Sequence, residues 1–142
     1  MADGRTRIRK ILKPAEQKAE QTDSLRVCAY CRVSTRNDEQ ATSYKTQVSA
    51  YTRKINDTPD WEFAGIYADW GISGTQAKKR PEFLRMIRDC REGKIDVILC
   101  KSISRFARNT LDAVNSIRML QEMGVRLIFE KEGLDMERLS RR

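Results

Sequence analysis

Four short apolar segments separated by three stripes of helical period constrain this chain more than any other feature. Residues 25–30, 61–68, 95–100 and 125–129 read as strands, rich in Val, Ile, Cys and aromatic side chains. Between them, Tyr44, Val48, Tyr51 and Ile55 fall on one helical face, and Phe83, Ile87 and Cys90 line another behind Pro81. Leu111, Val114, Ile117 and Leu120 stripe a third helix, read as its sheet-facing side. The run Ile95-Asp96-Val97-Ile98-Leu99-Cys100 is nearly continuous, as a strand covered on both faces requires. Strictly alternating strands and helices predict an α/β fold: a mainly parallel central sheet with right-handed crossovers and helices on both faces. At 142 residues the chain holds one such domain with short tails.

Charge narrows the partner. Lys and Arg number 28 against 20 Asp and Glu, a net +8, which favours a polyanion. Histidine is absent, which removes Ser-His-Asp and Cys-His triads, His-ligated zinc or iron, and histidine phosphotransfer. Catalysis must then run on Ser, Asp, Glu, Tyr, Lys or Arg. Cys28 and Cys31 have CxxC spacing, but they lie inside a strand-like run, and Cys90 and Cys100 make no second ligand pair. Buried reduced thiols are expected there, with no metal and no cofactor. No apolar window reaches the roughly 20 residues that span a bilayer, and residues 1–24 hold no signal-peptide stretch, so a soluble cytoplasmic protein is expected. Residues 1–24 carry Arg5, Arg7, Arg9, Lys10 and Lys13 and read as a flexible basic arm, either solvated or contacting phosphates. Residues 133–142 read as the charged start of a connection or helix.

Ligands of open parallel sheets bind beyond the carboxyl ends of the strands. Arg32, Ser34 and Thr35 follow the first strand. Asp69, Ser73 and Arg80 follow the second, in a loop holding Gly71 and Gly74, and Lys101, Ser102, Ser104, Arg105 and Arg108 follow the third. Residues 71–110 hold ten Lys and Arg against four Asp and Glu. Such a rim suits a phosphodiester under attack, because guanidinium groups stay ionised and can bind two non-bridging oxygens at once. Arginines beside a serine also favour its alkoxide, so the hydroxyl can act without a histidine. Charge alone fits an ordinary solvated helix start and a basic loop equally well.

Four blocks decide between these. Tyr30-Cys31-Arg32-Val33-Ser34-Thr35, Ser43-Tyr44-Lys45-Thr46-Gln47, Asp69-Trp70-Gly71-Ile72-Ser73-Gly74 with Arg80 and Pro81, and residues 101–110 (KSISRFARNT) occur in order. Over residues 25–132 the chain resembles the catalytic domain of the serine recombinases, the resolvase/invertase family. It is most similar to the large serine integrases of phages and mobile elements. The resemblance implies a site-specific DNA recombinase in which Ser34 attacks a DNA phosphate to give a 5′-phosphoserine intermediate, followed by strand exchange and rejoining without ATP, metal or cofactor. It implies that Arg32, Arg105 and Arg108 hold that phosphate, that Arg80 is a further active-site arginine, and that Tyr30, Gln47, Asp69 and Ser73 support them. Arg32, Lys101, Arg105 and Arg108 would contact DNA. The implied partners are double-stranded recombination sites and a homodimer that pairs into a tetramer. Residues 133–142 would lead to separate DNA-binding domains, in a bacterial or phage-derived, nucleoid-associated protein.

Ser104 stands where many family members carry an acidic residue, which leaves open whether Asp69 or another carboxylate shares in proton handling. The stretch from Ser34 to Gln47 is longer than in the small resolvases, and Gln40 receives no role. Ser34 can also be read as a turn or N-cap serine, and the arginines as phosphate grips on a non-catalytic basic DNA-binding module. A nucleotide-binding or receiver-like protein lacks support, since no Gly-rich phosphate loop or carboxylate cluster is present. Tyr44, Tyr51 and Trp61 can stack on DNA bases, but core is the more common place for such residues, and the helical spacing of Tyr44 and Tyr51 favours it. Trp70, in a polar loop, can touch DNA, touch a partner or cover the site, and Phe106, Met119 and Met123 are candidate interface residues.

Overall fold

The segment beginning at Leu25 extends further than its apolar run. In the computed structural model, which describes residues 24–34, 38–71 and 80–137 apart from the side chains of residues 34 and 38–42, strand β1 covers Leu25–Ser34. Helix α1 (Asp38–Asp57) follows, then β2 (Trp61–Gly71), α2 (Pro81–Arg91), β3 (Val97–Cys100), a single turn α3 (Ile103–Phe106), α4 (Thr110–Glu122), β4 (Arg126–Phe129) and β5 (Leu134–Met136). Residues 1–23, where the basic arm is expected, and Ser73 lie outside the described residues.

The five strands lie in the order β2-β1-β3-β4-β5. The first four are parallel, with Tyr30 opposite Tyr67 and Cys100, and Cys100 opposite Phe129. Helices cover both faces, as the alternation requires. Tyr51 and Ile55 of α1 pack on Val27, Ala29, Cys31, Val97 and Leu99. On the opposite face, Phe83, Met86, Ile87 and Cys90 of α2 and Ala113 and Leu120 of α4 meet Cys28, Tyr30, Ile98 and Leu127. All four residues of β3 are buried, so its unbroken apolar run matches burial on both faces. The one charge in that run, Asp96, precedes β3. Its carboxylate accepts from the Arg26 backbone N–H at 2.8 Å and from the Arg26 guanidinium.

Two sequence expectations fail here for local reasons. The expected connection or helix from residue 133 is, over Leu134–Met136, a strand antiparallel to β4. Gly133, at φ +65°, turns the chain back, and Arg126 on β4 pairs with Asp135 at 2.6 Å. In α4 the expected stripe holds only in its second half, where Leu120 is buried and Ile117 packs against the core; Leu111 is 70% exposed and Val114 51%, while Ala113 and Ser116 are buried. Small Ala113 and Ser116 take the contact face in the first half of α4, a signal that a search for large apolar residues passes over. Phe106, Met119 and Met123, read as interface candidates, belong to the core or pack against it. Among the described residues, no helix is long and apolar enough to cross a membrane.

Candidate active site at the switch between β1 and β3

The chain first steps from β1 outward to β2, then returns to the other side of β1 and continues through β3, β4 and β5. The connections leaving β1 and β3 therefore part on opposite faces, and the crevice between their carboxyl ends is where a sheet of this kind takes its ligand. β1 runs four residues past the register of Cys100, ending with Arg32 opposite Asp69 and Ser34 opposite Gly71. Ser34 is thus the terminal residue of the strand that borders the crevice. From the far side, a guanidinium N–H of Arg105 donates to the Arg32 carbonyl at 2.8 Å and bridges the two strand ends.

The segment carrying Arg105 is shaped by short polar side chains. Buried Ser102 caps α3, its Oγ accepting from the Arg105 N–H at 3.3 Å and lying 3.1 Å from Ser104 Oγ. Asn109 caps α4 by accepting from the Asp112 N–H at 2.8 Å, while the Asp112 carboxylate accepts from the Arg108 N–H at 2.9 Å. Glu132 accepts from the Ile103 N–H at 3.3 Å. Arg105 and Arg108 are exposed, as is Lys101, and Arg32 is half-buried. Among the described residues no ion pair neutralises these four cations, whereas Arg80, Arg85, Arg88 and Arg126 are all paired. An open groove of about 450 Å³, lined by Arg108, Asn109, Leu111, Asp112 and Asn115, continues from the arginine segment.

The supporting residues divide into two groups. Asp69 is buried and receives three hydrogen bonds, from Tyr30 Oη at 2.6 Å and from the Glu82 and Phe83 N–H groups at 2.9 and 3.0 Å. It caps α2 from the end of β2, 13 residues away in the sequence from Glu82. Burial, and then the bond to Asp69, push the Tyr30 hydroxyl well above its ordinary range, which keeps it a donor. Arg80 is equally buried; one guanidinium nitrogen donates to the Phe106 carbonyl and another lies 3.6 Å from Asp112. Gln47 lies on α1, half-exposed, with its amide 3.5 Å from Ser43 Oγ. Trp70 is 40% exposed and packs against Tyr44, centroids 4.7 Å apart, so Tyr44 covers part of an aromatic surface at the same sheet edge. Sequence reasoning missed Asp112, although Asn109 three residues before it carries a capping signature. It also missed the cap made by Asp69, for which no local spacing gives a signal. All four cysteines are buried, and burial pushes the thiols up, Cys31 to about 11 and Cys90 and Cys100 to about 12.

A mainly parallel sheet flanked by helices, with Arg105 bridging the ends of β1 and β3 at its switch point, defines an open α/β domain. Within that class the chain belongs to the resolvase family: residues 27–142 match the family described as the resolvase N-terminal domain. It is 31% identical over 117 residues to a resolvase/recombinase of Pseudomonas putida, a match covering 80% of this chain and 55% of that protein. The chain thus spans about half the length of that relative. The structure is similar to a resolvase family site-specific recombinase from Streptococcus pneumoniae, with a TM-score of 0.58 at 29% identity over 77% of this chain and 75% of that one. It is also similar to the N-terminal catalytic domain of TP901-1 integrase, with a TM-score of 0.54 at 26% identity over 78% and 80% of the two chains. The C-terminal catalytic domain of an IS607-like serine recombinase, ISC1926 TnpA, shares the fold, with a TM-score of 0.59 at 20% identity over 75% and 69%.

Proposed function

We propose that this chain is the catalytic domain of a site-specific DNA recombinase of the serine type, acting in DNA integration or excision. The observation that carries the reading is the Arg105 guanidinium bonded to the backbone of Arg32, two residues before Ser34, at the switch point of the sheet. Ser34 Oγ attacks the phosphorus of a DNA phosphodiester; the Oγ–P bond forms, the P–O3′ bond breaks, and O3′ leaves as a 3′-hydroxyl. Arg32, Arg105 and Arg108 neutralise the charge that builds on the non-bridging oxygens, and Lys101 adds a phosphate contact. In the reverse step a 3′-hydroxyl of the exchanged strand attacks the phosphoserine, rebuilding the P–O3′ bond and returning the proton to Ser34. The ester conserves the bond, so resealing draws on no nucleotide.

Tyr30 and Asp69 hold the frame of the site, and Gln47 and Ser73 are its remaining supporting residues. A homodimer that pairs into a tetramer, with DNA-binding domains further along a longer protein, would bring two duplexes together. The names of the relatives and the unpaired cations support this reading together. The test joins the chain to a DNA-binding module and offers nicked duplexes with varied central sequences between the module's sites. A protein–DNA adduct that survives denaturation and is lost in Ser34→Ala is expected. DNA binding with cleavage that ignores Ser34, or with none at all, would leave a non-catalytic DNA-binding module.

A further inference from the structure

Arg80 occupies a position that phosphate binding does not explain. The side chain is 6% exposed, its guanidinium sits over Phe83 with its carbon 3.7 Å from the ring centroid, and Tyr30 borders it at 5.5 Å. A charge so enclosed is costly unless its hydrogen bonds are made; Nε has no partner among the described residues, and the partners that the other two nitrogens find are on the arginine segment. One nitrogen holds the carbonyl of Phe106, the residue directly after Arg105. A second faces the Asp112 carboxylate at 3.6 Å, and the same Asp112 oxygen accepts from the Arg108 backbone N–H. Arg80 itself is fixed at the start of α2, whose first turn is capped by Asp69 and so by Tyr30 of β1. The chain of contacts runs from β1 through Asp69 and Arg80 to residues 106 and 108, and returns to β1 where Arg105 meets the Arg32 carbonyl.

We propose that Arg80 is a positioning residue, which sets the two surface arginines from behind by gripping the Phe106 carbonyl and Asp112 and itself touches no phosphate. The proposal rests on the recombinase reading for its catalytic consequence, but its structural content stands without it. A misplacement of about 1 Å at a reacting centre is worth on the order of 100-fold in rate, so loosening residues 105–108 slows cleavage far more than it weakens binding.

The test compares the 142-residue chain with Arg80→Met, Asp112→Asn and the double variant, following amide hydrogen exchange by peptide at a temperature where circular dichroism shows each folded. Faster exchange confined to residues 103–113, with β1, β3 and β4 unchanged, is expected in both single variants. Adding Asp112→Asn to Arg80→Met should then change little, because the two act through one contact. Asp112, part-exposed at 28%, keeps the experiment decisive if Arg80→Met does not fold. Exchange unchanged in the segment, or raised evenly across the sheet, would overturn the proposal. In the DNA-binding fusion, Arg80→Met should lower the cleavage rate at saturating DNA by about 100-fold and leave the slope of log affinity against log salt unchanged. A slope reduced by about one unit would make Arg80 a phosphate contact and overturn the proposal from that side. An unmodified fusion that forms no adduct would remove the recombinase reading, while the exchange result still decides the role of Arg80.

Discussion

Single residues whose types are unusual for their surroundings carry most of what can be tested here. Tyr67 Oη donates to the Asp89 carboxylate at 2.6 Å in a buried pair on the α2 side of the sheet. That bond, the largest cause, holds Asp89 below its ordinary carboxylate value, while burial and the same bond raise the Tyr67 hydroxyl. Asp89 therefore contributes stability that is present above the unfolded-state value of about 4 and lost as pH falls through its lower folded value. Tyr67 contributes stability that is full below about pH 10 and lost as pH rises further. In urea titrations, Tyr67→Phe should flatten both limbs of the stability profile and leave the plateau near pH 7 lower; an acid limb as steep as before would show that the bond does not set Asp89. The cysteines give a second check. With Cys31, Cys90 and Cys100 raised to about 11 or 12, the native chain should resist alkylation at pH 8 until denaturant unfolds it. Rapid labelling of Cys31 in the folded chain would mean that the CxxC pair is accessible after all. The sequence made these thiols legible, because Cys28 and Cys31 sit inside an apolar strand. The pairing of Tyr67 with Asp89 was not, since the partners come from separate elements 22 residues apart.

Elements were legible wherever large apolar side chains dictate the packing, and misread wherever small residues do. β3 and α2 announce themselves, the first by an unbroken apolar run and the second by Phe83, Ile87 and Cys90 behind a proline. In α4 the large residues at 111 and 114 face outward, and the first half of the helix approaches the sheet through Ala113 and Ser116, with Ile117 and Leu120 packing beyond them. Stability should follow the observed face. Leu120→Ala, which empties a fully buried site, is expected to cost about 2–5 kcal/mol, whereas Leu111→Ser should stay within about 0.5 kcal/mol. Chemical denaturation of the two variants checks this directly, and equal losses would restore the stripe that the sequence suggested. β5 was illegible for a different reason: three residues are too few to show a period, and their pairing depends on the Gly133 turn and on Arg126 and Asp135 meeting across strands. The cap that Asp69 makes on α2 is likewise set by tertiary structure alone, for the helix starts at Arg80 without a side-chain cap of its own.

At the scale of the whole molecule, the strand order decides where chemistry can occur. Because the chain reverses its direction of travel at β1, the ends of β1 and β3 open onto one crevice, and arginines distant in sequence converge there. The four motif blocks indicated the family, and alternation indicated which sheet edge their residues share. What neither could supply was the division of labour: Arg32, Arg105 and Arg108 at the edge, with Arg80, Tyr30 and Asp69 buried as the frame behind them. Absence of histidine gives the proposal its sharpest chemical commitment, since the proposed nucleophile is then a serine hydroxyl that no imidazole can activate. The most direct measurement is peptide mapping, by mass spectrometry, of the adduct trapped on nicked DNA. The account predicts a nucleotide joined through its 5′-phosphate to Ser34 on one fragment and a free 3′-hydroxyl on the other. Attachment at any other residue, linkage through a 3′-phosphate, or cleavage that leaves no covalent adduct would contradict it.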